Sequence, residues 1–254
     1  TNMAAVVSLV GSAEPMRGSA DDLFARSSTN LDSFGELAAE VQAEDSMKYK
    51  ESGADCTDDS AGKWTLLGAK RGVRCYQRVS EEADEHSGVP ILCGIGLVRA
   101  PLAEVFALCS DADKRTLWDT FYDQGHIVQA SSSGQENLVY FKTKSQWTVW
   151  ARDFFVMACY RPLDGSDFKS GYLMCASSAE NESLAPLDAS CVRGNVFQSG
   201  FVLRPTEDGT GTYVTYIFRI DGCGWVPQSV MNLVFQYQPY AILGMRKALT
   251  GSVD

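Results

Sequence analysis

An arginine and an aspartate stand four residues apart in the stretch DKRTLWDTFY at positions 113–122. Residues four apart lie on one side of a helix, so Arg115 and Asp119 are expected to form an ion pair beside Trp118. On a solvated helix surface such a pair contributes only ~0.3 to 0.5 kcal/mol. Inside an apolar cavity the same pair would be a polar anchor. The spacing alone leaves both interpretations open.

Residue patterns that support catalysis or metal binding are missing elsewhere in the sequence. The chain has two histidines, His86 and His126, and eight cysteines without any CxxC spacing, so metal-ligand spacing is absent. No GxSxG motif occurs, and the GIG at residues 94–96 lacks the third glycine and the following helix of a dinucleotide loop. We therefore expect no catalytic residue, no metal and no cofactor, and an enzyme is the minority alternative.

The charge and cysteine content of the chain limit its partners. Lys and Arg total 22 against 32 Asp and Glu, for a net charge of -10, which disfavours nucleic acid and strongly anionic membranes. No window approaches the ~20 apolar residues that cross a bilayer. Several cysteines lie in apolar runs such as ILCGIGLV, as is typical of reduced core residues. The expectation is a cytoplasmic monomer that contacts membranes transiently.

The elements that position the arginine and the aspartate follow from hydrophobic periodicity. Residues 1–33 are predicted to be a mobile N-terminal extension, because residues 11–33 are rich in Ser, Asp, Gly and Ala, and the domain is expected at 34–254. A weakly amphipathic helix begins at Phe34. It is followed by an antiparallel meander, two short helices from Pro101 onward, and a long run of strands at hairpin spacing.

The closing segment GWVPQSVMNLVFQYQPYAILGMRKALTG predicts a long helix that begins near Pro227, kinks at Pro239 and stops at Gly251. Its apolar residues cover more than the ~100° stripe that a surface helix buries. The helix is therefore either buried in the core or lies over an apolar tunnel. The order of elements predicts an α+β fold, with a curved antiparallel sheet wrapped around a long C-terminal helix.

This order of elements, together with LWDTFYDQ at 117–124, ARDFF at 151–155 and GWVPQSVMNLV at 224–234, resembles the START family of lipid-transfer domains. The resemblance covers about residues 34–251. It implies a helix-grip fold that encloses a tunnel for a single lipid, and an intracellular protein that binds one lipid and carries it between membranes. In this comparison Arg152 and Asp153 are a structural feature of the family. A lipid-gated regulatory module that holds lipid without moving it is the alternative.

Within the family, the opening stretch is most similar to the members that transfer phosphatidylcholine. The resemblance assigns Arg115 and Asp119 to the lipid phosphate, and it places Phe141, Phe154 and Phe197 at the positions of an aromatic cage for choline. Phenylalanine offers a ring face to a quaternary ammonium but binds it less strongly than tryptophan and donates no hydrogen bond. The resemblance thus favours a phosphatidylcholine-like phospholipid as the single ligand.

Other lipids rank below phospholipid. Sterol-binding members carry a buried acid before the RDF motif and an arginine after it, whereas residues 138–141 are uncharged and residues 154–160 contain no arginine. Ceramide stays open, because single Asn, Gln or Tyr side chains can meet its amide and hydroxyl groups.

The kinked terminal helix and the loop before it are the expected gate. The gate and tunnel lining is assigned to Trp118, Trp225, Val230, Met231 and Val234.

Overall fold

One curved, open sheet is the central element of the computed structural model, which describes residues 15–48, 62–78, 89–145, 149–164 and 169–254. His86 and Cys56 lie outside the described residues. The strands are β1 Met16–Arg17, β2 Thr65–Lys70, β3 Val73–Arg78, β4 Ile91–Val98, β5 Tyr122–Ala130, β6 Glu136–Thr143, β7 Arg152–Pro162, β8 Tyr172–Glu180, β9 Val192–Arg193, β10 Asn195–Pro205 and β11 Thr212–Asp221.

The main strands are antiparallel and run in the order β2-β3-β4-β11-β10-β8-β7-β6-β5. The two short strands add to this path in parallel, β1 beside β8 and β9 beside β7. The predicted meander is confirmed, including its first turn, where Arg71 and Gly72 have φ values of 52° and 70°. Positive φ at both central residues matches the right-handed twist of a hairpin.

The helices are α1 Ala20–Phe24, α2 Ser27–Lys48, α3 Leu102–Ser110, α4 Gln228–Tyr237 and α5 Ala241–Thr250, with 3₁₀ turns at Asp113–Leu117 and Gln238–Tyr240. The helix predicted over the Arg115 stretch is therefore a single 3₁₀ turn. No helix in the described ranges combines the length and the apolar character that crossing a bilayer requires.

Helices α1 and α2 cover the outer face of the sheet. Leu23, Leu31 and Phe34 are buried there against the strands. The mobile extension predicted for residues 1–33 is thus wrong for residues 15–33, while residues 1–14 lie outside the described residues. The prediction failed because a few widely spaced apolar side chains suffice to bury one side of a helix whose other residues are small and polar.

Asp45 ties α2 to the sheet through a buried polar contact. Its carboxylate accepts hydrogen bonds from Arg74 Nη2 at 2.7 Å and from the Tyr76 hydroxyl at 2.6 Å. Both partners lie on β3. Since a carboxylate loses hydration on burial, these donors are what make its position favourable.

The C-terminal helix packs so closely on the concave face of the sheet that backbone atoms are in contact. It breaks at Pro239, as predicted, and ends at Gly251, whose φ is 73°. A Cβ atom at Gly94 would lie 2.1 Å from the Pro239 carbonyl oxygen, and one at Gly244 would lie 2.3 Å from the Trp118 carbonyl oxygen. Glycine at 94 therefore serves helix packing, in agreement with the expectation that the GIG segment is not a dinucleotide loop.

We expect Asp45→Asn to lower the free energy of unfolding by about 2 to 3 kcal/mol, because it removes the charge that compensates a nearly buried guanidinium. Chemical denaturation followed by circular dichroism measures this change. The matched control is Asp32→Asn, whose partner Arg161 is exposed, and it should cost less than ~1 kcal/mol. Equal losses in the two variants would contradict an anchoring role for Asp45.

Candidate ligand-binding site

Arg115 and Asp119 form the ion pair that their spacing predicts. Arg115 Nε and Nη2 each lie 2.9 Å from Asp119 Oδ2. The 3₁₀ turn and the following residues bring them together, with the Asp119 amide donating to the Arg115 carbonyl at 2.9 Å. The Asp119 side chain is 3% exposed and that of Arg115 is 26% exposed. The pair is therefore no solvated surface contact, and its charges attract each other more strongly than they would in water.

Asp119 also joins the turn to the C-terminal helix and to the sheet. Gln238 Nε2 donates to Asp119 Oδ2 at 3.3 Å and to the Tyr216 hydroxyl at 3.0 Å. The second carboxylate oxygen accepts from the amide of Phe121 at 3.1 Å. This network fixes the place where Arg115 presents its remaining N–H groups.

Two cavities meet at Arg115. The inner cavity lies under α3 and the middle of the sheet, and the mouth cavity lies under α4. Arg115, Phe141 and Ile220 line both, so they form the boundary between the two. The volumes are about 160 and 120 Å³, small beside the roughly 300 to 1,000 Å³ of common ligand pockets. A two-chain lipid therefore requires the walls to move apart.

The inner cavity is mainly apolar, and its neutral polar groups are few. They include Asn137, Ser199 and the hydroxyls of Tyr122 and Tyr216. Burial raises the pKa of Tyr122 and of Tyr216 to about 12. Both phenols therefore keep their protons at neutral pH and can donate hydrogen bonds.

The guanidinium of Arg115 lies over the faces of three aromatic rings. Its central carbon lies 5.5 Å from the ring centroid of Trp118, 5.1 Å from that of Tyr122 and 5.0 Å from that of Phe141. All three distances fall within the ~6 Å range of cation–π attraction. Burial alone would lower the pKa of Arg115, but the charge of Asp119 and its hydrogen bond, together with the neighbouring Tyr216 and Tyr122, outweigh burial and raise the pKa above its usual value. The site thus holds a permanent cation.

The predicted aromatic cage is only partly assembled. Phe141 and Phe154 stack with centroids 4.8 Å apart. Phe197 lines neither cavity, and its ring lies 4.8 Å from the guanidinium carbon of Arg219. Its neighbour Val196 faces the inner cavity instead. The placement of Phe197 with the other two rings is therefore wrong, because alternation along β10 turns it to the opposite face of the sheet.

Helix α4 supplies the lining that was predicted for the gate. Val230, Met231 and Val234 face the mouth cavity. Trp225 precedes α4 and is 77% exposed. Trp118 lines neither cavity; it is buried in the core, where its indole N–H donates to the Leu108 carbonyl at 3.3 Å. The predicted assignment of Trp118 to the lining is therefore corrected. Its large amphipathic ring is buried in the core instead.

Arg152 holds the two loops at the mouth through backbone carbonyls. Nε donates to Gly222 at 3.0 Å, Nη1 to Trp150 at 2.6 Å, and Nη2 to Cys223 and Trp225 at 3.2 and 3.3 Å. The side chain is nearly buried, and burial lowers its pKa. Asp153 instead pairs with Arg193, with Nη2 2.9 Å from Oδ2. The expectation that these two residues are structural agrees with this geometry.

Sequence reasoning missed Tyr216 and Gln238, which complete the hydrogen-bond network of Asp119, and Tyr122, whose ring packs against Arg115. The alternation of side chains between the two faces of β11 could have indicated that Tyr216 points towards the site. The position of Gln238 beside Pro239, where the helix is expected to break, could have indicated Gln238. Nothing in the sequence indicated that they would meet at Asp119. Within the described residues, no cluster of three potential metal ligands occurs, and seven cysteines are free thiols.

A sequence-family model described as START domain matches residues 47–249 of the chain. Ceramide transfer proteins from Mus musculus and Homo sapiens are each 23% identical to it over 194 residues, covering 67% of this chain and 29% of each relative. The match thus spans less than a third of those curated relatives. The structure of human StAR-related lipid transfer protein 5 superposes with a TM-score of 0.65 at 21% identity, over 88% of this chain and 98% of that one.

We expect Arg152→Lys to loosen the mouth loops, because lysine cannot donate in four directions from a planar group. Hydrogen exchange should speed up by about tenfold or more at residues 222–226, as expected when local opening loses charged hydrogen bonds. Arg161→Lys, an exposed change on the same strand, is the control. Unchanged exchange in Arg152→Lys would refute its role in holding the loops.

Proposed function

Because this chain belongs to the START domain family, we propose that it binds one phospholipid between its sheet and C-terminal helix and carries it between membranes. The observation that carries the proposal is Arg115, a permanent cation at the junction of two largely apolar cavities. Asp119 engages one side of its guanidinium. The N–H groups on the other side are suited to the phosphate oxygens of a lipid.

Carrying a lipid requires a large apolar enclosure. Two acyl chains contain ~30 methylenes at ~0.8 kcal/mol each, so on the order of 20 kcal/mol opposes their exposure to water. The cavities under α3 and α4 supply apolar walls, and displacement of α4 would join and enlarge them. We propose α4 as the gate, with Trp225 and Trp150 making transient, apolar contact with the membrane. Both indoles are exposed at the mouth.

The choline part of the prediction has less support than the phosphate part. Phe197 lies away from the cavities, and the rings around Arg115 already contact a cation. The phosphate interaction does not depend on those rings, since it uses N–H groups. We therefore propose phospholipid binding through phosphate.

Ceramide is the second candidate. The curated relatives at 23% identity are ceramide transfer proteins, and the Asp119, Tyr216 and Gln238 network offers neutral and charged hydrogen-bond partners for an amide and two hydroxyls. A regulatory module that retains its lipid would use the same residues.

Free thiols at seven described cysteines fit a reducing compartment such as the cytoplasm. We propose a carrier, and no catalytic role for these residues.

The first test is identification of the lipid that co-purifies with the protein, by native mass spectrometry followed by extraction. Arg115→Gln should reduce bound phospholipid by about tenfold or more, because it removes a charge-assisted hydrogen bond. Lys114→Gln, an exposed neighbour on the same turn, should retain it. Thermal unfolding checks that both variants fold, and Arg115→Lys provides a charge-retaining alternative if the glutamine variant is unstable. Stoichiometric ceramide in the wild-type protein would favour the second candidate.

Transfer between donor and acceptor vesicles separates carrier from sensor. Trp225→Ala should slow transfer by about fivefold or more while leaving bound lipid unchanged, because the indole favours the membrane interface. Tyr213→Ala, which removes an exposed ring from the opposite end of β11, is the matched control. A wild-type protein that binds lipid stoichiometrically but moves none would support the regulatory module.

A further inference from the structure

The mouth cavity has an excess of positive charge. Its charged lining residues are Arg115, Lys144, Arg152 and Asp119. Asp119 is engaged by Arg115. Lys144 donates to the Thr120 carbonyl at 3.2 Å, and Arg152 donates to carbonyls only. In the part of the chain that the structure describes, neither of these two cations forms an ion pair with a carboxylate, so two positive charges remain to attract a bound anion.

The aromatic rings beside these charges already contact other groups of the protein. One side of the Phe141 ring stacks on Phe154, the ring also stacks on Tyr122 at 5.9 Å, and the Arg115 guanidinium lies 5.0 Å from its centroid. A quaternary ammonium that approached these rings would meet a fixed cation of the protein. Like charges brought together in a desolvated site repel each other strongly.

We propose that this site selects phospholipids whose headgroup has a net negative charge and no ammonium group, over phospholipids that carry choline. The inference rests on the proposed phospholipid function and narrows it to a class of headgroup. An anionic headgroup at the mouth compensates Lys144 and Arg152 and gives acceptors to Arg115, which lines both cavities. A zwitterionic headgroup supplies the same phosphate but places its ammonium among these cations.

Dioctanoyl phosphatidylglycerol and dioctanoyl phosphatidylcholine are the matched probes, because both contain a phosphodiester and differ in the ammonium. Isothermal titration of the full chain with each lipid, kept below its micelle concentration, removes any contribution from membrane charge. We expect phosphatidylglycerol to bind about tenfold more tightly, as for an added interaction with partly exposed charges. Equal affinities, or tighter binding of phosphatidylcholine, would overturn the headgroup preference while leaving the proposed phospholipid function intact.

Two substitutions locate the preference in the cavity. Lys144→Gln should reduce the ratio of the two affinities by about threefold, the size expected for one rim charge, whereas Lys247→Gln, on the exposed side of α5, should not change it. Failure of the folded wild-type protein to bind either lipid would instead reject the proposed phospholipid function. An unchanged ratio in Lys144→Gln would contradict the role of the mouth charge.

Discussion

The buried carboxylate of Asp119 is the point on which the site depends. It accepts hydrogen bonds from Arg115, Phe121 and Gln238, which belong to the 3₁₀ turn, the start of β5 and the break in the C-terminal helix. A charge so deeply buried costs several kcal/mol unless it is paired, so these three segments are held in one arrangement. The same pairing keeps Arg115 charged at the boundary of the two cavities whether or not a ligand is bound.

This constraint anchors one part of the C-terminal helix, whereas the other part is the proposed gate. Helix α5 lies at backbone distance from the turn at Gly244, and Arg246 donates to the Leu97 carbonyl at 2.7 Å and the Arg71 carbonyl at 2.6 Å. Helix α4 instead covers a cavity, with apolar side chains on its inner side. Since cavity walls lose packing contacts, α4 is held less strongly than α5. The break at Gln238 and Pro239 is the hinge that the proposed gate would use, and Gln238 is anchored there by Asp119.

Much of the fold was predictable because local chemistry determines it. The positive φ values at Arg71 and Gly72, the helix end at Gly251 and the break at Pro239 follow from properties of single residues. The ion pair of Arg115 follows from helical spacing. Helix α1 and the first turns of α2 were missed because composition dominated over a few buried apolar positions. Phe197 was misplaced since family similarity gives an approximate position, whereas its face depends on the register of β10 and on the bulge between Phe197 and Gly200.

Two arginines, the buried Arg152 and the partly buried Arg115, show why the choice of ligand could not be predicted from residue types. Arg152 is satisfied by four backbone carbonyls, which no sequence pattern reveals, and among the described residues no carboxylate pairs with its charge. Arg115 uses the aromatic rings that the family resemblance assigned in part to choline. In each case the residue type is consistent with the family, but its partners decide the charge that a ligand meets. The electrostatic character of the cavity therefore belongs to the assembled structure, and it favours an anion where the sequence favoured a zwitterion.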